Sequence, residues 1–136
     1  MSAAAEPLYR HPVRVYWEDT DAGGIVFYAN YLKFFERART EWLRSLGVGQ
    51  QAMRDRTGAM FVVSDASIHF RAAARLDDQL DVTVGVHHAA RVSLVLRQQA
   101  LRQDELLAEG EVRIACVDAA TLRLRRIPDD ILQRLQ

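Results

Sequence analysis

Residues 17–46 read WEDTDAGGIVFYANYLKFFERARTEWLRSL, and a change of period inside this stretch decides the fold. Before it, Val13, Val15 and Trp17 alternate with Arg14 and Tyr16, the period of a strand. Asp19-Thr20-Asp21-Ala22-Gly23-Gly24 then breaks the strand, because glycines and aspartates at this density demand a turn. After the turn, Tyr31, Phe34, Phe35, Ala38, Trp42 and Leu46 recur at the i, i+3, i+4, i+7 spacing of one helix face. Lys33, Glu36, Arg37, Glu41 and Arg44 fall on the wet side, and Gly47 is placed to stop the helix in a left-handed conformation. A short second helix is expected around Gln50–Arg56, ending near Gly58.

Beyond this helical stretch the chain returns to alternation. Ala66, Ile68 and Phe70 oppose Ser67, His69 and Arg71; Leu80, Val82, Val84 and Val86 oppose Asp81, Thr83, Gly85 and His87. Val92, Leu94 and Leu96, then Val112, Ile114 and Cys116, give two further strands. Short connections favour antiparallel neighbours, and Pro128-Asp129-Asp130 can open a last helical turn. The expected class is α+β, an antiparallel sheet covered on one face by one dominant helix. A sheet so covered leaves an edge strand and part of a face open, so pairing with a second copy is expected.

Composition narrows the function. The 136 residues suit one domain, with residues 1–9 read as a flexible tail, and half the residues are apolar, enough for a core. The formal net charge is zero, which argues against a general nucleic-acid binder. No apolar run approaches the ~20 residues of a membrane span, and Met1–Leu8 lacks the pattern of a secretory signal. With Cys116 as the only cysteine, no intrachain disulfide can form, and a reducing cytoplasm is the simplest setting. Cys116 lies on the apolar phase of its strand and reads as core. His87 and His88 are adjacent on a strand, where neighbours face opposite ways, so no metal is expected.

The turn is where chemistry concentrates. A carboxylate and a glycine-rich turn stand just before a helix start, where backbone N–H groups are free and the helix dipole is positive. Such donors can hold a carbonyl oxygen as it becomes an oxyanion. A nearby carboxylate can activate water or attack directly. Asn30 is placed to cap or brace the helix start, and Asp19 reads as a structural turn residue.

Asp-Thr-Asp-Ala-Gly-Gly-Ile-Val-Phe-Tyr-Ala-Asn-Tyr, at 19–31, resembles the active-site signature of the 4-hydroxybenzoyl-CoA thioesterase family. Within it, the match is best to the bacterial acyl-CoA thioesterases associated with the Tol–Pal cell-envelope system. Phe35–Glu41, Ala74–Asp78 and Cys116–Asp118 resemble that group too. The resemblance runs from about His11 to Pro128. It implies a hotdog fold, a curved antiparallel sheet wrapped around one long central helix. The implied reaction is hydrolysis of an acyl thioester to a carboxylic acid and free coenzyme A, with no cofactor. Asp21 is the implied catalytic carboxylate, as nucleophile or general base, and the Tyr28 backbone amide the implied oxyanion donor. Many Tol–Pal-type members carry histidine where this chain has Tyr28; a backbone donor survives that change and a histidine side-chain role does not. Coenzyme A carries phosphates, for which Arg71, Arg75 and Arg91, near expected strand ends, are the candidate partners. Implied partners are acyl-CoA, a second copy in a homodimer or homotetramer, and peripheral cell-envelope or acyl-carrier proteins. Two alternatives stand beside this reading. A hotdog hydratase or dehydratase is disfavoured by the absence of histidine from Phe27–Leu46. A non-catalytic acyl-CoA-binding or envelope-associated scaffold predicts binding without turnover.

Overall fold

The computed structural model describes residues 8–136. Five strands, β1 (Tyr9–Arg14), β2 (Ala59–Phe70), β3 (Gln79–Ala89), β4 (Ser93–Arg102) and β5 (Glu105–Asp118), form one antiparallel sheet in the order β1-β3-β4-β5-β2. Three helices, α1 (Asn30–Ser45), α2 (Gln50–Thr57) and α3 (Asp129–Leu135), complete it. The sheet curves around α1, which packs across β1, β3 and β4. This is the hotdog fold.

The helix forms where the apolar spacing puts it. Tyr31, Phe34, Phe35, Ala38 and Trp42 are buried, and the core closes with Leu80, Val82, Leu94, Leu96, Val112 and Ile114 from the sheet. Each large apolar side chain so buried contributes about 1.5–3 kcal/mol, which outweighs the modest helix propensity of the aromatic residues. The helix stops at Gly47, whose φ is +80°. Gly47 N–H donates to Arg44 C=O at 2.9 Å and Val48 N–H to Leu43 C=O at 2.8 Å, the paired bonds of a Schellman stop. The second helix runs close to its expected span.

Three sequence expectations need correction. The tail expected over residues 1–9 does not extend to Tyr9, which opens β1 by pairing with Val84; residues 1–7 lie outside the described residues. Val13–Trp17 is not one strand. The ladder ends at Arg14, although Val15 stays buried by exchanging backbone bonds with Asp77 and Asp78 (both 2.9 Å). Trp17 is 79% exposed. The Asp19 carboxylate accepts Tyr16 N–H at 2.8 Å and turns Trp17–Asp19 into a single 3₁₀ turn. Finally, β2 is far longer than the Ala66–Phe70 alternation suggests. A bulge between Val63 and Asp65 shifts its register against β5, which splits the period.

Two interior features reshape the alternation of the other strands. Gln98 occupies an apolar phase of β4 and is completely buried. Its Nε2 donates to Phe35 C=O at 3.0 Å and Thr83 C=O at 3.3 Å, and its Oε1 accepts from Arg39 at 3.0 Å. The polar contact thus pins the middle of α1 to the sheet. In β3 a bulge between Val86 and His88 interrupts the strict alternation that assigned His87 and His88 to opposite faces. Among the described residues no group of three His, Cys, Asp or Glu side chains is arranged to hold a metal.

β2 is an outer strand of 12 residues, bonded among the described residues to β5 alone. Gly110 of β5 lets it approach, since a Cβ there would lie 2.1 Å from the Ser67 carbonyl oxygen. Among the described residues its other edge is unpaired, and Val63 and Phe70 are exposed.

Candidate active site

The segment between β1 and α1 folds into a small hairpin. Thr20 and Val26 pair across it, Asp21 N–H donates to Ile25 C=O at 2.9 Å, and Gly24 N–H returns to Asp21 C=O at 3.0 Å. Gly24 adopts φ +81°, a conformation that favours glycine. The hairpin is fastened to the 71–78 loop: Ile25 pairs with Arg75, and Val26 N–H donates to Ala74 C=O at 2.9 Å.

At the tip, Asp21 is exposed, and its Oδ1 accepts Gly23 N–H at 2.8 Å. Its Oδ2 has no donor among the described residues, so one carboxylate oxygen is available. The other arm carries Tyr28. The sequence put this residue at the helix start; α1 begins two residues later, at Asn30. The first backbone bonds into the helix run from Asn30 N–H to Phe27 C=O at 2.8 Å and from Tyr31 N–H to Tyr28 C=O at 3.4 Å. Tyr28 N–H itself has no acceptor among the described residues. The lead-in to the helix thus leaves a backbone donor unpaired next to the positive end of α1.

Beside Tyr28 opens a groove of about 280 Å³, lined by Ile25, Val26, Tyr28, Tyr31, Phe70 and Ala72 among others. Phe70 stands 6.2 Å from the Tyr28 ring, edge-on, and 5.6 Å from Tyr31. Tyr31 is nearly inaccessible, and burial pushes its phenol up, partly offset by the Ala74 N–H it accepts at 3.3 Å and by Arg102. Asp21 does not line this groove; it stands at the hairpin tip, beyond Ile25 and Val26 that form one wall. In sequence Tyr31 reads as part of the apolar helix face and Phe70 only as one alternating apolar residue. Their role as walls was hidden because the groove joins residues about 40 positions apart.

The three candidate arginines separate. Arg71 reaches the groove, but its guanidinium is bonded to Glu109 at 2.8 Å. Arg75 flanks the hairpin through its pairing with Ile25. Its side chain has no ion pair or hydrogen bond among the described residues. Arg91 follows β3, whose 11 residues at about 3.3 Å each put it roughly 30 Å or more along the sheet from the Asp21 hairpin. Within one chain it is not part of this site.

The loop carrying Arg75 is held by charge. Arg102 donates to Asp78 at 2.7 Å and to Ala73 C=O at 3.2 Å, and Asp78 also accepts Arg75 N–H at 2.8 Å. Burial alone pushes the Asp78 carboxyl up. The Arg75 N–H, the Arg102 bond and the charges of both arginines outweigh that and hold it below its ordinary value.

A sequence profile of the thioesterase-like superfamily matches residues 15–135. The chain belongs to the thioesterase-like superfamily. Among its relatives in that superfamily is the acyl-CoA thioester hydrolase YbgC of Escherichia coli O6:H1, 44% identical over 126 residues, 92% of this chain and 93% of that one. The acyl-CoA thioesterase YbgC of Haemophilus influenzae is 41% identical over 123 residues, 90% of each chain. The crystal structure of a hypothetical protein from Aquifex aeolicus superposes with a TM-score of 0.88 at 28% identity, covering 94% of this chain and 99% of that one. A 1,4-dihydroxy-2-naphthoyl-CoA thioesterase from Synechocystis shares the fold, with a TM-score of 0.86 at 21% identity over 95% of this chain and 96% of that one. Among the described residues, no helix is long and apolar enough to cross a membrane.

Proposed function

We propose that this chain is an enzyme that hydrolyses acyl-CoA thioesters to a carboxylic acid and free coenzyme A, with Asp21 as its carboxylate and the Tyr28 amide as its oxyanion donor. The observation that carries the proposal is the unpaired Tyr28 N–H on one arm of a hairpin whose other arm holds Asp21 with a free oxygen. The long matches to thioester hydrolases named YbgC support the reaction.

In this mechanism the thioester carbonyl oxygen accepts the Tyr28 N–H, and charge grows on it as the carbon becomes tetrahedral. One such donor is worth about 3 kcal/mol, a hundredfold or more in rate. Asp21 acts in one of two ways. It attacks the carbonyl carbon and releases the thiolate, leaving a mixed anhydride that water opens; or it takes a proton from water, whose oxygen attacks. Either route consumes one water and yields one acid and one thiol. The thiolate is a good leaving group, comparable to a cysteine of pKa about 8.5. A dedicated general acid and a cofactor are therefore unnecessary to the chemistry. Arg75, with its free guanidinium, and Arg71, if it exchanges Glu109 for phosphate, serve the coenzyme A phosphates. Arg91 is omitted from this set because of its distance.

The proposed protein is a single thioesterase domain acting in the cytoplasm as a homodimer or homotetramer. The open β2 edge, with exposed Val63 and Phe70, supports the pairing of a second copy there. The test is release of free thiol from a panel of acyl-CoAs and acyl-carrier-protein thioesters by the wild-type protein. Turnover of at least one acyl-CoA is expected. Saturable binding of acyl-CoA with no thiol released from any thioester would overturn the proposal in favour of a scaffold.

A further inference from the structure

We propose that Asn30 is a positioning residue of the hydrolytic site, acting through the main-chain carbonyl of Asp19; the inference rests on the reading of Asp21 and Tyr28 given above. The Asp19 carbonyl oxygen accepts two N–H donors, Phe27 N–H at 2.9 Å and Asn30 Nδ2–H at 2.9 Å. Asp19 lies two residues before Asp21. Phe27 lies one residue before Tyr28, and Asn30 two after it. A single oxygen atom therefore ties the arm that carries the carboxylate to both flanks of the residue that carries the amide.

Asn30 is 8% exposed and Asp19 7%, so water does not compete for these bonds. The side chain does no capping work: the N-cap is Ala29, without a side-chain bond, and Asn30 is already helical. Asparagine in a first helical turn is a poorer helix former than alanine, and here its amide spans to a residue eleven positions earlier. The Asp19 carboxylate is engaged separately, by Tyr16 N–H at 2.8 Å, so it is the main-chain oxygen alone that links to Phe27 and Asn30. Removing the Asn30 amide leaves the Phe27 bond and the groove walls in place. It frees the turn from Tyr28 to Asn30 to shift against the hairpin tip. A misplacement near 1 Å between reacting groups costs about 10²-fold in rate.

The experiment is a double-mutant cycle on thiol release from an acyl-CoA that wild type turns over, with Asn30→Ala, Asp21→Asn and the pair. Asn30→Ala is expected to lower kcat about 10²-fold while KM stays within about threefold, because the groove and Arg75 are untouched. In the Asp21→Asn background the same change is expected to lower the residual rate by less than about threefold, since no carboxylate remains to be positioned. Unchanged kcat in Asn30→Ala, or an equal factor in both backgrounds, would overturn the proposal. If Asn30→Ala does not fold, as judged by circular dichroism, Asn30→Ser carries the same comparison. Full activity in Asp21→Asn would instead bring down the reading of Asp21. An inactive Asp21→Asn beside a fully active Asn30→Ala would sink only the role of Asn30.

Discussion

Replacing Gln98 by leucine removes the polar pin between α1 and the sheet, and the structure sets the size of the effect. Three bonds are lost: two neutral ones from Nε2 to the Phe35 and Thr83 carbonyls, and one from the Arg39 guanidinium to Oε1. Neutral bonds contribute about 1 kcal/mol each, and one to a charged group about 1.5–3 kcal/mol. Against a loss of about 3.5–5 kcal/mol stands a gain of about 2 kcal/mol from burying leucine in place of the amide. The net destabilisation expected is about 1.5–3 kcal/mol, or roughly 5–10 °C in Tm for a chain of this size. Burial already lowers the Arg39 pKa, with Glu36 opposing, so a guanidinium stripped of its acceptor is the main liability. Urea unfolding at fixed protomer concentration measures the loss. Arg39→Met combined with Gln98→Leu should restore about 1–2 kcal/mol relative to the sum of the single changes, because no orphaned charge remains. Wild-type stability in Gln98→Leu, or strict additivity of the pair, would refute the assignment of the pin.

Other consequences can be measured independently. Asp78 has a depressed carboxyl pKa, so its stabilisation is full above the unfolded value of about 3.9 and is lost as pH falls through the lower folded value. Unfolding free energy should therefore drop below about pH 4, and Asp78→Asn should flatten part of that acid limb; an identical limb in the variant would contradict the role of the Arg102 pair. Cys116 is inaccessible, and burial pushes its thiol up, with Arg125 only partly opposing. A disulfide reagent at pH 8 should label it slowly in the native protein and fully in urea, and rapid native labelling would count against its place in the core. Val63→Lys puts a charge on the open β2 edge and should shift the protein toward monomer in sedimentation equilibrium, whereas an unchanged mass would put the pairing surface elsewhere.

Much of the architecture is legible in the sequence because periodicity reports burial directly. The face Tyr31, Phe34, Phe35, Ala38, Trp42 and the stop at Gly47 could be read one residue at a time, since a helix is local. What escaped depends on contacts distant in the chain. Gln98 sits on an apolar phase because three partners from elsewhere satisfy it, and no local pattern announces them. Trp17 continues the alternation of Val13 and Val15 in sequence, but the 3₁₀ turn braced by the Asp19 carboxylate takes it out of the strand. The first half of β2 was missed because its bulge changes phase. The site divides in the same way. Asp21 and Tyr28, on which the proposed mechanism rests, lie in one short motif, so the sequence alone could propose them. The Phe70 wall and the Arg102–Asp78 brace come from strand ends and a loop that only folding brings to the hairpin. Arg91 resembles Arg71 and Arg75 in sequence because strand ends look alike, and β3 carries it to the end of the sheet away from the hairpin.

The most direct check is the rate of thiol release from an acyl-CoA by Asp21→Asn, measured on protein shown to fold and assemble like wild type. A carboxylate that attacks or deprotonates at the thioester predicts a loss of about 10²–10⁴-fold, with substrate binding retained. A variant that turns over at the wild-type rate would mean that the hairpin carboxylate takes no part in the hydrolysis.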